Sequence, residues 1–590
     1  MEITRIFDIL ESLVAKYPKD DILARKSHGK WIKFSSEEYR RYSHLVAYAL
    51  LAEGFKPQDK IITLSNNRPE WNFVDMGATL AGMIHIPVYS TLSHDEFVHI
   101  FNHSDCSAIF IGSDSLLKKI LPILAEVKRD INIYTFEPID GYKSISDLYE
   151  IAKESESLFA ETIENNKKTI DKHDVATIIY TSGTTGIPKG VMLSHDNLIF
   201  NAKGHAAMQI RDHTHKMLSF LPLSHIYERS MNYEYQILGV STYYAEGLGT
   251  IAADLADCHA DGFCSVPRVL EMVFAKFEAT GKTLKGIQAI IYKWAFNMAC
   301  EYDYTKKGAF YSLKHSIADK LVYKKWRDAL GGKEMLVVSG GSSIQAKIIR
   351  LFTAAKMYIF EGYGMTETSP VIAVNNPKEM IIKIGTVGKI FPGTELIIAE
   401  DGEILTRGPH IMKGYYKDPE NTKEIIDNDG WLHTGDIGVL IDGGFLKITD
   451  RKKEIFKLSA GKYIAPQVIE NLLRELQSVE NCMVIGENQK FASAIIVPAF
   501  AYLRGWAKEK GLSYDSDEEL IKLKEVISLI NSDIDIVNKQ LSPHEHIKRA
   551  RLVFEEWSPS NDLLSQTLKL KRINIRSKYK AIIDEIFNID

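Results

Sequence analysis

The chain has 590 residues, of which 72 are basic and 77 acidic, so its formal net charge of -5 offers no global positive field for nucleic acid. With 45% hydrophobic and 25% charged residues it is typical of a globular protein, and its length predicts a large domain of several subdomains with at least one smaller domain. Five cysteines and a start unlike a signal peptide predict reduced thiols in a cytoplasmic enzyme, and no run approaches the roughly 18 apolar residues of a membrane-spanning helix.

Helical patterns alternate with short strand patterns between residues 38 and 135. This alternation predicts an α/β fold with mostly parallel sheets covered by helices, in which ligands bind at the carboxyl ends of strands. The predicted strands are KIITLS, IHIPVY and SAIFIG, and the predicted helices are EYRRYSHLVAYALLAEG, PEWNFVDMGATLAGM, EFVHIFNHS and SLLKKILPILAEV. Another strand, VATIIYT, follows a polar stretch at residues 152–174, which we interpret as a surface connection.

The pattern changes further along the chain. Residues 281–330 mix aromatic and basic side chains at helical spacing, which predicts helices packed on the large domain rather than a cofactor-binding element. After Asp450 the elements become shorter. The sequence therefore predicts a large, multi-subdomain N-terminal domain at residues 1–449 and a small α+β C-terminal domain at residues 450–590.

The strongest local motif, TSGTTGIPKG at residues 181–190, directly follows a predicted strand. Its glycines let backbone N–H groups approach phosphate oxygens, its hydroxyls add donors, and its lysine adds a positive charge. Glycine would stand in place of Pro188 in a P-loop, so the motif predicts a different phosphate-binding turn. Composition alone fits a flexible linker equally well. The candidate phosphate-binding residues are Thr181, Ser182, Gly183, Thr184, Thr185, Gly186 and Lys189.

This motif is the first of six blocks that, in this order, resemble the adenylate-forming family of acyl-CoA synthetases, luciferases and peptide-synthetase adenylation domains. The blocks are YTSGTTGIPKGVMLSH (180–195), FLPLSHIYER (220–229), VSGGSSI (338–344), EGYGMTETSP (361–370), GWLHTGDIG (430–438) and DRKKEIFKLSAGKYIAPQVIE (450–470). VPRVLEMVFAKF, from Val266, and the insert after it resemble the long-chain fatty acid branch. The resemblance implies an ATP-dependent long-chain fatty acid–CoA ligase that works through an acyl-adenylate, with ATP, Mg²⁺ and coenzyme A.

The resemblance also implies roles for the residues of EGYGMTET. Tyr363 would stack on adenine, Thr366 would contact phosphate, and Glu367 would bind Mg²⁺. At the position of Gly364, similar enzymes that use acetate have a tryptophan, so the missing side chain would leave room for an alkyl chain. The alternative is that Gly364 permits an unusual backbone angle.

Further contacts to the nucleotide are implied at two places. Asp436 would accept hydrogen bonds from the ribose hydroxyls, with Arg451 as a second contact. Gly340, Gly341 and Ser342 resemble the loop at the adenine edge. Asp436 could instead be a turn aspartate, Arg451 could belong to a surface ion pair, and the two glycines could be ordinary turn glycines.

Two further residues are implied in the adenylation of the acid. His225 corresponds to the position beside the carboxylate of the acid, although a structural histidine fits as well. Spacing from Thr567 points to Lys571 as the adenylation lysine, but Leu570 replaces the usual glycine, so Lys569 is a competitor.

The smaller domain of the family is mobile and rotates between the two half-reactions, here about a hinge expected at Lys453. Rotation would bring the loop 459–462, with Gly461, to the pantetheine channel.

Two alternatives stay open. One is an acyl-AMP ligase that loads a carrier protein; the other is a non-catalytic nucleotide-binding regulatory protein, which the joint presence of Lys189, Glu367, Asp436 and Lys571 disfavours. The expected partners are fatty acid, ATP and CoA without nucleic acid. Peripheral membrane contact to collect fatty acid, and an oligomer, are compatible with the sequence.

Overall fold

The structure is a computed structural model that describes residues 2–182, 187–303, 308–565 and 569–588. The chain divides into two compact units: the first comprises Met1–Leu396 and Thr406–Leu432, and the second comprises Ile397–Leu405 and His433–Asp590. The domain boundary predicted near Asp450, and the hinge predicted at Lys453, are not tested by this division and stay predictions.

The described residues alternate between strands and helices along most of the chain. The strands are β1 (Leu23–Ser27), β2 (Lys30–Phe34), β3 (Lys60–Leu64), β4 (Ile84–Pro87), β5 (Cys106–Ile111), β6 (Asn132–Thr135), β7 (Lys143–Ser144), β8 (Val175–Ser182), β9 (Pro188–Ser194), β10 (Lys216–Ser219), β11 (Ser241–Tyr244), β12 (Gly262–Ser265), β13 (Met335–Ser339), β14 (Met357–Gly364), β15 (Val371–Val374), β16 (Lys389–Ile390), β17 (Glu395–Ile398), β18 (Glu403–Arg407), β19 (Gly414–Tyr415), β20 (Leu432–Ile441), β21 (Phe445–Arg451), β22 (Phe456–Lys457), β23 (Tyr463–Ile464), β24 (Val479–Ile485), β25 (Ala492–Pro498) and β26 (Ile547–Leu552). The helices are α1 (Asp8–Lys16), α2 (Ser36–Ala52), α3 (Pro69–Leu80), α4 (His94–His103), α5 (Asp114–Leu124), α6 (Ile145–Thr169), α7 (His195–Met208), α8 (Ile226–Leu238), α9 (Ile251–Cys258), α10 (Pro267–Thr283), α11 (Gly286–Cys300), α12 (Ala309–Ala318), α13 (Lys324–Asp328), α14 (Ala346–Ala354), α15 (Pro419–Ile425), α16 (Pro466–Arg474), α17 (Phe500–Lys510), α18 (Asp517–Leu520), α19 (Lys524–Asn538), α20 (Arg572–Lys578) and α21 (Lys580–Asn588).

Eight strands of the first unit form a sheet in the order β19-β9-β8-β4-β3-β5-β6-β7. The pairs β3–β4, β3–β5, β5–β6 and β4–β8 are parallel, which confirms the sheet predicted from the alternating pattern. β8 pairs antiparallel with β9, and the predicted phosphate motif begins on β8 and ends on β9.

A second set of nine neighbouring strands in the first unit has the order β2-β1-β11-β10-β12-β13-β14-β15-β16. The neighbours from β1 to β14 are parallel. The carboxyl ends of β13 and β14 therefore lie at one edge, where α/β sheets bind ligands. β14 pairs antiparallel with β15, and a bulge lies between Tyr363 and Gly364.

The polar stretch 152–174 is not the surface connection that we predicted from its composition, because most of it belongs to α6. A capping box between Ser144 and Asp147 starts this helix, and Leu148, Ala152 and Ile163 are buried along it. Only a few apolar residues line one face of this helix, and the residues between them are mostly charged residues that favour helix. The polar composition therefore suggested a connection, although the apolar residues have helical spacing.

The helices predicted in residues 281–330 are confirmed as packing elements of the first unit. The rings of Phe277 and Trp326 stack with centroids 4.8 Å apart, and the indole N–H of Trp326 donates to the hydroxyl of Tyr292 (3.0 Å). All three side chains are buried, so these aromatic residues form a core rather than a cofactor-binding element.

The second unit contains the antiparallel pair β20–β21, the small hairpin β22–β23 and a sheet in the order β24-β25-β26. Helices α16 and α19 pack together beside that sheet and share its apolar cluster. Across the residues that the structure describes in both units, no helix is long and apolar enough to cross a membrane.

Candidate active site

The phosphate motif begins on β8 and ends on β9. Thr181 lies opposite Lys189 and Ser182 opposite Pro188 in the strand register. The predicted residues Gly183, Thr184, Thr185 and Gly186 lie outside the described residues, so their contribution stays a prediction.

Lys189, on β9, contacts residues from the C-terminal segment of the first unit. Its ammonium group donates to the Oδ1 atom of Asn421 and lies 5.1 Å from the ring centroid of Tyr415. The amide of Asn421 in turn donates to Asp418 (2.7 Å), the residue that caps α15. These contacts hold the lysine charge near the start of β9, within the motif that was predicted to bind phosphate.

Glu367 contacts the same tyrosine. It belongs to a short 3₁₀ helix, Thr366–Thr368, and its Oε1 atom accepts a hydrogen bond from the hydroxyl of Tyr415 (2.8 Å). Burial raises the pKa of Tyr415 far above its usual value and the Glu367 carboxylate raises it further, so the hydroxyl keeps its proton and donates. The structure thus brings Lys189 and Glu367 together on Tyr415, which the sequence analysis missed.

The Glu367 carboxylate is a hard oxygen ligand of the kind that Mg²⁺ prefers. In the described parts of the chain, no group of three or more His, Cys, Asp or Glu side chains could hold a metal ion. Mg²⁺ binds proteins through one or two carboxylates together with phosphate and water oxygens, and Glu367 fits that pattern. Thr366, its neighbour in the 3₁₀ helix, is also mostly buried.

The predicted adenine contacts lie at one edge of the second set of strands. Gly340, Gly341 and Ser342 directly follow β13, and Tyr363 lies near the end of the parallel neighbour β14. The N–H of Gly340 donates to the carbonyl of Ser265 (3.2 Å), and Gly341 has a φ of +84°. The loop therefore has the backbone conformation that glycine favours, at the edge where a ligand is expected.

Gly364 does not have the role that we predicted for it. A Cβ atom at this position would lie 1.8 Å from the carbonyl oxygen of Pro370 and 3.0 Å from the Cα atom of Val371. The missing side chain therefore makes room for the backbone, and the prediction that it opens a pocket for an alkyl chain is wrong. The alternative of an unusual backbone angle also fails, because φ at Gly364 lies outside the left-handed region.

His225 caps the N-terminus of α8. Its Nδ1 atom accepts a hydrogen bond from the N–H of Tyr227 (3.1 Å), which leaves the ring proton of a neutral histidine on Nε2. The side chain is half-buried. This contact fits the alternative of a structural histidine, which the sequence left open. The role of His225 beside the carboxylate of the acid stays a prediction.

Arg229, in the same LPLSHIYER block, forms a buried network that the sequence analysis did not predict. It pairs with Asp75 (2.5 Å), which also accepts from the hydroxyl of Tyr233 (2.6 Å) and contacts Nδ1 of His85 (2.7 Å). Burial alone would raise the pKa of Asp75, but the charge of Arg229 and the contact with His85 outweigh it and lower the pKa to about 2. The network ties α8 to α3 and β4.

In the second unit, the structure brings the predicted ribose contacts together. Asp436 on β20 lies opposite Arg451 on β21, and the Nε atom of Arg451 donates to Oδ1 of Asp436 (3.1 Å). The carboxylate is 7% exposed, whereas the arginine is half-buried. The pair presents an acceptor and a fixed cation side by side.

The two candidate adenylation lysines differ in their surroundings. Lys571 occupies the position before α20, and its ammonium group pairs with Asp562. Lys569 is exposed, and its N–H donates to the hydroxyl of Ser565 (3.0 Å). Thr567, from which the spacing was counted, lies outside the described residues.

The loop predicted to serve the CoA step is a tight turn between β22 and β23. Gly461 has a φ of +83° and its N–H donates to the carbonyl of Leu458 (2.8 Å). Glycine is required there by the backbone, and its predicted contact with pantetheine is untested.

Comparison with known proteins gives a consistent result. Residues 10–416 match the family described as AMP-binding enzyme, and residues 453–589 match the AMP-binding enzyme C-terminal domain. The peroxisomal long chain acyl-CoA synthetase 6 of Arabidopsis thaliana is 34% identical over 88% of this chain and 76% of its own length. A long-chain-fatty-acid–CoA ligase of Mycobacterium tuberculosis is 30% identical over 98% of this chain and 97% of its own.

Among solved structures, the adenylation domain of a carboxylate reductase from Mycobacterium chelonae superposes with a TM-score of 0.76. The match covers 99% of this chain and 91% of that domain at 18% identity. At this identity the likeness shows the fold alone, and it confirms the predicted α/β architecture with a smaller C-terminal part.

Proposed function

The chain belongs to the AMP-binding enzyme family, and we propose that it is an ATP-dependent long-chain fatty acid–CoA ligase. The long-chain acyl-CoA synthetases and ligases among its relatives support an acyl-CoA synthetase function. In the structure, the proposal rests on the contacts of Lys189 and Glu367 with Tyr415, because phosphate chemistry needs a fixed cation and a metal-binding carboxylate close together.

A carboxylate is a poor electrophile, because oxide would have to leave from its carbon. In the first step its oxygen attacks the α-phosphorus of ATP, and pyrophosphate leaves with the electrons of the broken P–O bond. In the second step the sulfur of CoA attacks the acyl carbon of the adenylate, AMP leaves, and the thiol proton passes to solvent. Two moderate barriers thus replace one that is too high.

Four residues of the first unit contribute to the first step. Lys189 stabilises the charge that accumulates on the phosphates, and Thr366 donates a hydrogen bond to them. Mg²⁺, when bound at Glu367, supplies positive charge to the leaving pyrophosphate. Tyr415 orients the Glu367 carboxylate by its hydrogen bond.

The second unit contributes the ribose contacts and the adenylation lysine. Asp436 accepts from the ribose hydroxyls, and Arg451 holds this carboxylate in place. Lys571 exchanges its contact with Asp562 for the α-phosphate as the adenylate forms.

The assignment of the lysine has a matched control two residues away. Lys571→Ala should abolish acid-dependent exchange of pyrophosphate into ATP yet still convert supplied acyl-AMP to acyl-CoA, whereas Lys569→Ala should keep both reactions. The opposite result would place the adenylation lysine at Lys569.

The experiment that tests the function is CoA-dependent AMP formation over a panel of acids from acetate to arachidate. We expect turnover to rise with chain length, because each buried methylene contributes about 0.8 kcal/mol. Exchange of pyrophosphate without AMP release on CoA would indicate a carrier-protein thiol as acceptor. The absence of both reactions with every acid would contradict the proposal in favour of a nucleotide-binding protein. Peripheral contact with a membrane, as the source of the fatty acid, is part of the same proposal.

A further inference from the structure

Helix α12 (Ala309–Ala318) has two apolar faces, and only one of them packs against the protein. On the inner face Ala318 is buried, and Nε2 of His315 contacts the carbonyl of Ala354 (2.9 Å). The outer face carries Phe310, Leu313 and Ile317 at helical spacing. These side chains are 70%, 59% and 45% exposed.

We call the outer residues Phe310, Leu313 and Ile317, together with Leu321 just beyond the helix, the α12 stripe. Leu321 is 42% exposed. The preceding helix α11 shows the same feature, because Ile287 and Ile290 are 75% and 69% exposed. Single exposed apolar residues are ordinary, but a full helical stripe of them indicates an interaction surface.

The segment that carries this stripe is rich in lysine. Between Gly281 and Lys325 the described residues include seven lysines and only three acidic residues, in a chain whose net charge is -5. The ammonium group of Lys314 lies 4.3 Å from the ring centroid of Phe310, so positive charge is present on the stripe itself. Asp319 is already paired with Arg327 (2.6 Å).

We propose that the α12 stripe and its lysines dock on the surface of an anionic lipid bilayer. Aromatic and aliphatic side chains that enter the interface, with lysines left at the headgroups, form the recognised pattern of peripheral membrane binding. A second copy of the chain is the less suitable occupant, because a twofold contact would bring two sets of lysines together. The inference extends the proposed function by naming the surface that meets the lipid, and vesicle binding does not require turnover.

The test is cosedimentation of the full chain with vesicles of phosphatidylcholine containing about one third phosphatidylglycerol. The chain offers a matched pair of substitutions, because Phe310 and Leu158 on α6 are both 70% exposed. Phe310→Glu should weaken vesicle binding by about tenfold or more, whereas Leu158→Glu should leave it unchanged. Circular dichroism checks that each variant is folded, and Leu313→Gln provides a second, milder change on the same stripe.

A charge variant tests the other half of the proposal. The double variant Lys314→Glu with Lys320→Glu should lose binding to anionic vesicles, and the wild type should bind pure phosphatidylcholine weakly and lose affinity in salt. Three results would overturn the inference. The wild type could fail to bind anionic vesicles, or folded variants of the α12 stripe could bind them as well as the wild type does. The third result is a wild-type dimer that does not bind vesicles and that Phe310→Glu dissociates. Acid-dependent pyrophosphate exchange, measured separately, keeps failure of this inference distinct from failure of the proposed reaction.

Discussion

Replacing Gly364 with alanine adds one methyl group at a point where the backbone of another strand lies too close to accept it. The new Cβ atom would stand 1.8 Å from the carbonyl oxygen of Pro370 and 2.7 Å from its carbon, well inside any van der Waals contact. This carbonyl cannot move away freely, because the N–H of Met365 (3.0 Å) and the hydroxyl of Thr368 both donate to it. The strand or the following turn must therefore shift.

Overpacking of this kind costs about 1–3 kcal/mol in the free energy of unfolding. The functional cost should be larger, because the turn that must shift contains Glu367 and its hydrogen bond from Tyr415 (2.8 Å). We expect Gly364→Ala to fold but to lose about 10- to 100-fold in adenylation, in line with the loss of one hydrogen bond to a charged group. Gly364→Trp should fail to fold stably, and it should not acquire a preference for acetate.

The assay combines urea unfolding with pyrophosphate exchange over the acid panel. Gly249→Ala is the matched control, because a Cβ atom there meets nothing within 4 Å and φ lies outside the left-handed region. A Gly364→Trp protein that unfolds at the wild-type urea concentration and prefers acetate would refute the reasoning and restore the pocket hypothesis. Wild-type stability of Gly364→Ala would contradict the steric argument alone.

Three further changes test other contacts. Tyr415→Phe keeps the ring next to the ammonium group of Lys189 but removes the hydroxyl that donates to Glu367. Pyrophosphate exchange should fall by about tenfold and should need more Mg²⁺ to reach its half-maximal rate. An unchanged Mg²⁺ dependence would contradict the positioning role of Tyr415. Arg229→Met leaves the buried carboxylate of Asp75 without its cation and should cost about 3–5 kcal/mol in the free energy of urea unfolding. Arg407→Met, in an exposed pair, should change the urea midpoint little. Burial raises the pKa of Asp450 from 3.8 to about 7, so between these pH values the carboxyl ionises in the unfolded chain but not in the folded one, and the wild type loses stability as the pH rises. Asp450→Asn should therefore match the wild type at low pH and melt at a higher temperature at about pH 8. The same difference in melting temperature at every pH would contradict the pKa shift.

Local patterns made the first sheet predictable. Each of its parallel strands is short, apolar and bounded by a turn, and the helices between them have regular apolar periodicity, so sequence neighbours suffice to define them. The same logic failed for α6, whose core face is narrow and whose surface is charged throughout. Capping residues such as Ser144 and Asp147 were the available signal, since they mark a helix start independently of composition.

Tyr415 could not be predicted, because its role depends on strand pairing between distant segments. β19 has only two residues and pairs antiparallel with β9, which places Tyr415 opposite Val191. Nothing in the sequence around Tyr415 signals that a two-residue strand will pair with β9, the strand on which the phosphate motif ends. The family motifs point to candidate residues because each motif is local; the residue that connects two motifs was missed because that connection is tertiary.

Gly364 shows why even a correctly placed motif residue can receive the wrong role. The direction of a side chain on a strand follows from counting alternate residues, and a single bulge changes that count. Such a bulge separates Tyr363 from Gly364, whose Cβ direction points at the Pro370 carbonyl. Acyl-length selectivity must therefore depend on side chains other than one at this position, so the acid panel should be compared across variants elsewhere in the first unit.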